Sequence, residues 1–176
     1  MNNLSTQRGS ALVIALVMLV LMTMLSLAGM QSTILEEKMA GNMADNNVAL
    51  QAAEAALREA EAVILPWQSA PQPVTSCATP PCQIWVLGDA GDLTTNDDAW
   101  WTAQGEEFGV NGTQEFTLAN DDPRYIIEFQ SFEEDDLSTG ANPPTGRTFY
   151  RITARGKGTS DTSVVILQSS YAKRYN

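Results

Sequence analysis

The sequence contains no histidine. That removes the commonest general base, the Ser-His and Cys-His nucleophile pairs, and the commonest transition-metal ligand. Basic residues are scarce as well: 10 Lys and Arg stand against 21 Asp and Glu, for a net charge of −11. Binding to phosphate backbones needs clustered Lys and Arg, so the balance argues against nucleic acid as a partner. It argues equally against docking of the soluble part on anionic membrane surfaces. There are only two cysteines, Cys77 and Cys82. Their spacing is neither a Cys-x-x-Cys redox motif nor a four-ligand zinc pattern, and without histidine two thiols cannot complete a structural zinc site. Behind an exporting membrane anchor they are expected to form a disulfide closing a small, proline-containing loop; two free thiols would fit a cytosolic chain.

What the sequence does have is one long apolar run. Nine mostly polar residues carry a single charge, Arg8, and lead through Gly9 to Ser10. From there no charged residue occurs until Glu36. The apolar core from Ala11 to Met30, at about 1.5 Å per residue, is long enough to cross a hydrocarbon layer of about 30 Å. Helical patterning continues past Glu36, Glu37 and Lys38 to Leu65, where Pro66 ends it.

Three readings of this start compete. In an ordinary secretory signal, cleavage follows Ala28 in Ser26-Leu27-Ala28, but h-regions are typically about 7–15 residues and this run is longer. In a plain single-pass anchor, Arg8 keeps the N-terminus inside and the acidic residues beyond Leu35 are exported. In the third, a prepilin peptidase cuts between Gly9 and Ser10, the polar stub is lost and the apolar helix is kept. The third accounts for the most residues: a small residue directly before the helix, and a basic one holding the bond at the cytoplasmic face.

The stretch Gly9-Ser10-Ala-Leu-Val-Ile-Ala-Leu-Val-Met-Leu-Val-Leu-Met-Thr resembles the N-terminus of a type IV pilin. The runs Thr33-Ile-Leu-Glu-Glu-Lys-Met-Ala-Gly-Asn42 and Gln51-Ala-Ala-Glu-Ala-Ala-Leu-Arg-Glu-Ala-Glu61 resemble, more specifically, the PilX-type minor pilins. The likeness is strong over residues 6–65 and looser over Asp98-Ala-Trp100-Trp101 and the C-terminal strands.

The resemblance implies a domain plan: a leader peptide at 1–9, a transmembrane and filament-core helix at 10–31, an amphipathic periplasmic helix at 32–65, and a globular head at 66–176. It implies an inner-membrane protein with a periplasmic C-terminal domain that later joins a surface pilus. Its processing enzyme would be prepilin peptidase, and its partners other minor pilins and a tip adhesin. One departure from major pilins matters. Their fifth mature residue is a glutamate that offsets a neighbour's N-terminal amine; counted from Ser10, that position is Ile14. A buried amine without a counter-charge is costly. The resemblance implies a place at the filament tip, since PilX-type pilins are similar to the K-type pseudopilins of type II secretion in lacking this glutamate. Ile14 is also explained by bilayer insertion alone.

Beyond the membrane span, Met39, Met43, Asn46, Leu50, Ala53, Leu57, Ala60 and Ile64 alternate spacings of four and three. That is a heptad seam broken at Asn46. Over Leu50–Ile64 it is expected to cover the protein's own sheet; over Met39–Asn46 partner helices serve equally well. Gly41 and Asn42 are expected to loosen the helix locally.

Prolines and Ser/Thr from Pro66 to Pro81 predict an extended connection. Strands are expected at Ile84–Leu87, Phe116–Leu118, Tyr125–Phe129, Phe149–Arg155 and Val164–Gln168, the last continuing to Tyr171. In Phe149–Arg155, alternation puts Tyr150, Ile152 and Ala154 inward and Arg151, Thr153 and Arg155 outward. A short helix should start in a capping-box-like Thr95-Asn-Asp-Asp98, carry Trp100 and Trp101, and close at Gly105. Helix first and antiparallel sheet after is the α+β class, and it resembles the pilin fold.

Acidic clusters occur at Asp89, Asp92, Asp97 and Asp98, at Asp121 and Asp122, and at Glu133–Asp136. Such loops suit calcium in principle, but none has EF-hand spacing, and charge runs usually form solvated faces. No cofactor, metal or catalytic residue is expected. The pair Trp100 and Trp101 is expected to be satellite core, with a partner-binding surface as the other reading. The function that the PilX resemblance implies is a non-enzymatic structural subunit of a tip complex that primes pilus assembly. A membrane-anchored periplasmic binding module and a type II secretion pseudopilin are the alternatives.

Overall fold

The computed structural model describes residues 8–109, 116–135 and 146–175. The elements run α1 (Arg8–Ile64), β1 (Trp85–Val86), α2 (Asp98–Gln104), β2 (Glu106–Glu107), β3 (Arg124–Glu134), β4 (Gly146–Lys157) and β5 (Val164–Arg174). The chain divides into two compact units, Met1–Met43 and Ala44–Asn176.

In the first unit, α1 is the only helix among the described residues long and apolar enough to cross a membrane. Every side chain from Ser10 to Met43 is exposed. The helix is not interrupted at Gly41 and Asn42, where loosening was expected. Its few hydroxyls are satisfied internally. Thr23 Oγ1 donates to the Val20 carbonyl at 2.8 Å, Ser26 Oγ to Met22 at 2.9 Å and Thr33 Oγ1 to Gly29 at 3.2 Å. Back-bonding of this kind removes the cost of polar groups in an apolar surrounding.

In the second unit, α1 from Ala44 to Ile64 packs on a five-stranded sheet of order β1-β3-β4-β5, with β2 paired to β3. The expected meander is present: β3, β4 and β5 are antiparallel, with Tyr125 opposite Ala154 and Tyr150 opposite Tyr171. The sheet is mixed, because β1 joins β3 in parallel, with Trp85 opposite Glu128. The two-residue β2 pairs Glu106 with Tyr125.

The core on the helix side combines Ala56, Ala60 and Ile64 with Ile84, Tyr125, Ile127, Tyr150, Ile152 and Ala154. The inward set of β4 is thus the expected one. The buried stripe of α1 differs from the heptad seam. Ala49, Ala52, Ala53, Ala56, Ala60 and Ile64 are buried, while Leu50 is 38% exposed. The reason is closeness. A Cβ at Gly156 of β4 would collide with the Ala49 carbonyl oxygen and the Ala53 nitrogen, and would lie 2.9 Å from the Ala52 Cβ. At that separation only alanine fits beneath the helix, and leucine is turned to the margin.

The outer sheet face also differs. Thr153 is fully buried and the Arg155 side chain is largely so. A second core of Trp85, Ala90, Leu93, Trp101 and Ile126 covers that face, which the alternation in β4 assigned to solvent. Phe116–Leu118 is not a strand: Phe116 precedes a turn, its N–H held by Asp122 Oδ1 at 3.0 Å. α2 begins two residues later than the capping box suggests. Asp97 is its N-cap and accepts from the Trp100 N–H at 2.8 Å.

At the far end of α1, Pro66 stops the helix. Lys173 of β5 donates from Nζ to the carbonyls of Ile64 and Leu65, satisfying groups that the helix itself leaves open.

Candidate functional site: the N-terminal helix and the head surface

Gly9 and Ser10 both lie within α1, and Met1–Gln7 is outside the described residues. Ile14 is one turn further on and 58% exposed, among an unbroken series of exposed Leu, Val and Met side chains up to Met30. A single helix surface this apolar is unstable in water. It calls for lipid or for other apolar helices.

In the head, several polar groups hold structure. The Cys77–Cys82 disulfide is formed, with the Cα atoms 5.8 Å apart. Glu128 is completely buried, yet bound bidentately by Arg151 opposite it on β4, at 2.7 Å to Nε and 2.8 Å to Nη2, and by the Gly88 N–H at 2.9 Å. That arrangement neutralises the charge and gives the two oxygens three donors, the condition for tolerating a buried ion. Lys157 lies among Asp98 at 2.9 Å, Asp121 at 3.3 Å and Asp161 at 3.7 Å, and Asp98 also bonds Arg155.

The expected acidic clusters therefore dissolve into separate tasks. Asp92 holds Thr94 through its N–H and hydroxyl, Asp97 caps α2, and Asp98 pairs with the two β4 cations. Among the described residues no group of three or more Cys, Asp or Glu side chains converges as a metal site would require. Asp136, at the end of the third cluster, lies outside the described residues. Trp101 is fully buried and Trp100 partly so, their rings edge to face with centroids 5.6 Å apart; the pair is satellite core.

A feature with no sequence signal sits at Asp45, near the start of the second unit. Its carboxylate accepts from the Thr159 N–H at 2.5 Å, the Thr159 hydroxyl at 2.6 Å, the Ser160 N–H at 3.2 Å and the Ser160 hydroxyl. Gly158 allows the approach, since a Cβ there would lie 2.8 Å from the Asp45 carbonyl oxygen and collide with its carboxylate. These bonds, with those of Ser160 foremost, hold the Asp45 carboxyl far below the usual carboxylate range. A carboxyl depressed in the folded state adds stability above its unfolded pKa, near 4, and loses it as the pH falls through its folded value. Amide exchange at Thr159 and Ser160 should therefore accelerate as the pH is lowered below about 4, relative to intrinsic rates. Asp45→Asn should abolish that pH dependence; an unchanged profile in the variant would contradict the latch.

The described architecture defines a class: a long N-terminal helix, apolar and exposed first, then alanine-faced and packed on a largely antiparallel sheet, which is consistent with the pilin fold. The family model "Type IV pilus assembly protein PilX C-term" matches residues 44–173, and the model "PilX N-terminal" matches residues 8–58. The chain belongs to the PilX family and is a type IV pilus assembly component. No curated protein and no solved structure matches it.

Proposed function

We propose that this chain is a non-enzymatic minor pilin of the tip complex that primes pilus assembly. The protein inserts in the inner membrane with its head in the periplasm. Prepilin peptidase removes residues 1–9, exposing the Ser10 amine. Residues 10–31 then pack against neighbouring pilin helices in place of lipid, residues 32–65 carry the head, and residues 66–176 present it to other minor pilins and a tip adhesin. The observation that carries the tip reading is Ile14. Without a carboxylate at the fifth mature position, the subunit offers nothing to offset a neighbour's buried amine, which is tolerable where no neighbour follows. The family membership supports pilus assembly as the setting, and the helix surface from Ala11 to Met30 supports exchange of lipid for helices.

Deleting the gene and counting surface filaments by electron microscopy tests the reading. Loss of most filaments, restored by the full chain supplied in trans, is expected. Unchanged filament number would contradict a role in priming assembly.

A further inference from the structure

A cleft of about 290 Å³ opens in the head beside the β2–β3 ladder. Its walls include the apolar side chains of Val63, Pro81 and Ile127, and its polar groups are Gln83, Glu106 and Tyr125. Glu106 and Tyr125 are direct partners across the ladder, so their side chains leave the sheet on one face.

Two groups there are unfinished. Tyr125 is only 2% exposed, and among the described residues its hydroxyl has no hydrogen-bond partner. A buried, unpaired hydroxyl is destabilising. Glu106 has no cation within reach among the described residues. The adjacent Arg124 is taken by Glu107 at 2.6 Å. A second carboxylate stands close by: Glu59 accepts the Gly109 N–H through both oxygens, at 3.0 and 2.9 Å, which leaves its charge unneutralised. Burial, and then the neighbouring Glu59 charge, push the Glu106 carboxyl up. Elsewhere in the head the buried carboxylate, Glu128, meets its arginine; here the described residues supply no cation.

We propose that the cleft receives a lysine side chain from another pilus protein. Its methylenes would lie along Val63, Pro81 and Ile127, and its ammonium would donate to the Glu106 carboxylate, the Tyr125 oxygen and the Gln83 amide oxygen. Three separate acceptors match the three donors of an ammonium, whereas a guanidinium favours one carboxylate gripped side-on. A divalent cation would lack ligands, since among the described residues no three acidic side chains converge there. The net charge of −11 adds a field that draws a cation in. Only the partner's identity rests on the proposed role in pilus assembly; the binding chemistry stands or falls without it.

The test uses the full chain in detergent micelles with ring-labelled tyrosine. Tyr125 resonances are followed by NMR while Nα-acetyl-lysine methylamide, its norleucine counterpart and calcium chloride are added separately at fixed ionic strength. Saturable shifts with the lysine derivative are expected, with affinity at least about tenfold above norleucine and lowered about tenfold or more by Glu106→Gln. Gln83→Ala should weaken binding as well, and unchanged thermal midpoints in both variants show that the fold is kept. Absence of saturation with lysine, equal affinity for norleucine, a response to calcium alone, or full affinity in Glu106→Gln would each overturn the proposal. Loss of filaments on gene deletion together with any of these results would leave the pilus role standing and remove the lysine site.

Discussion

Arg151→Met is expected to destabilise the head more than any other conservative change on the sheet. Glu128 is completely buried in β3 and depends on the Arg151 guanidinium for two charge-assisted bonds; the Gly88 N–H supplies only one more. Removing one partner of a buried pair costs about 3–5 kcal/mol, because the remaining charge is left in a poor solvent. Arg151 is itself 32% exposed, so water can reach part of the gap and the loss belongs near the lower end of that range. Against a total of about 5–15 kcal/mol for a folded domain, this is a large fraction. Glu128→Gln combined with Arg151→Met should recover most of it, since the buried charge disappears along with its partner. Urea unfolding followed by tryptophan fluorescence measures both. A loss under about 1 kcal/mol in the single variant would show that the pair is not holding the strands.

Gly156→Val should be nearly as damaging for a different reason. Gly156 has ordinary strand geometry, so the demand is for space. The first added carbon meets helix backbone at Ala49 and Ala53 as well as the Ala52 methyl group. Backbone cannot swing aside as a flexible side chain can, so the helix and β4 must separate along the whole alanine stripe. Overpacking a tight core costs about 1–3 kcal/mol and occasionally more, and the backbone obstacle puts this site at the upper end. The thermal midpoint should fall by about 10 °C. Ala52→Gly should rescue little of it, because the Ala49 and Ala53 obstacles remain. A shift under about 2 °C, or full rescue by Ala52→Gly, would mean that the helix does not press on the sheet this closely.

Much of this architecture was legible in the sequence, and the misses have common causes. Hydrophobic length identified the membrane-competent part of α1, Pro66 its end, and alternation the inward residues of β4. Family motifs pointed to the pilin class. The heptad seam placed Leu50 in the stripe because periodicity fixes a helix's faces only to within one residue's rotation. What selects among them is Gly156, more than a hundred positions away in sequence. Thr153 and Arg155 read as solvent-facing because the layer above them, built on Trp85, Leu93 and Trp101, comes from irregular chain without periodic signal. The strand expected at Phe116–Leu118 yielded to a turn held by Asp122. The Asp45 latch was invisible for the same reason as the Gly156 contact: its partners at Thr159 and Ser160 meet it only after folding. For the N-terminal segment, only the sequence supports the proposed processing and packing. The proposed cut between Gly9 and Ser10 and the proposed role of Ile14 concern encounters with an enzyme and with other subunits.

In the proposed role, the apolar helix serves first as an anchor and then as a packing element, which requires a cut before it and not after it. Mass spectrometry of the N-terminus of the protein recovered from sheared surface filaments tests this most directly. A chain beginning at an N-methylated Ser10 is the predicted result. A chain beginning at Gly29, with the apolar helix removed, or one retaining Met1, would contradict the account.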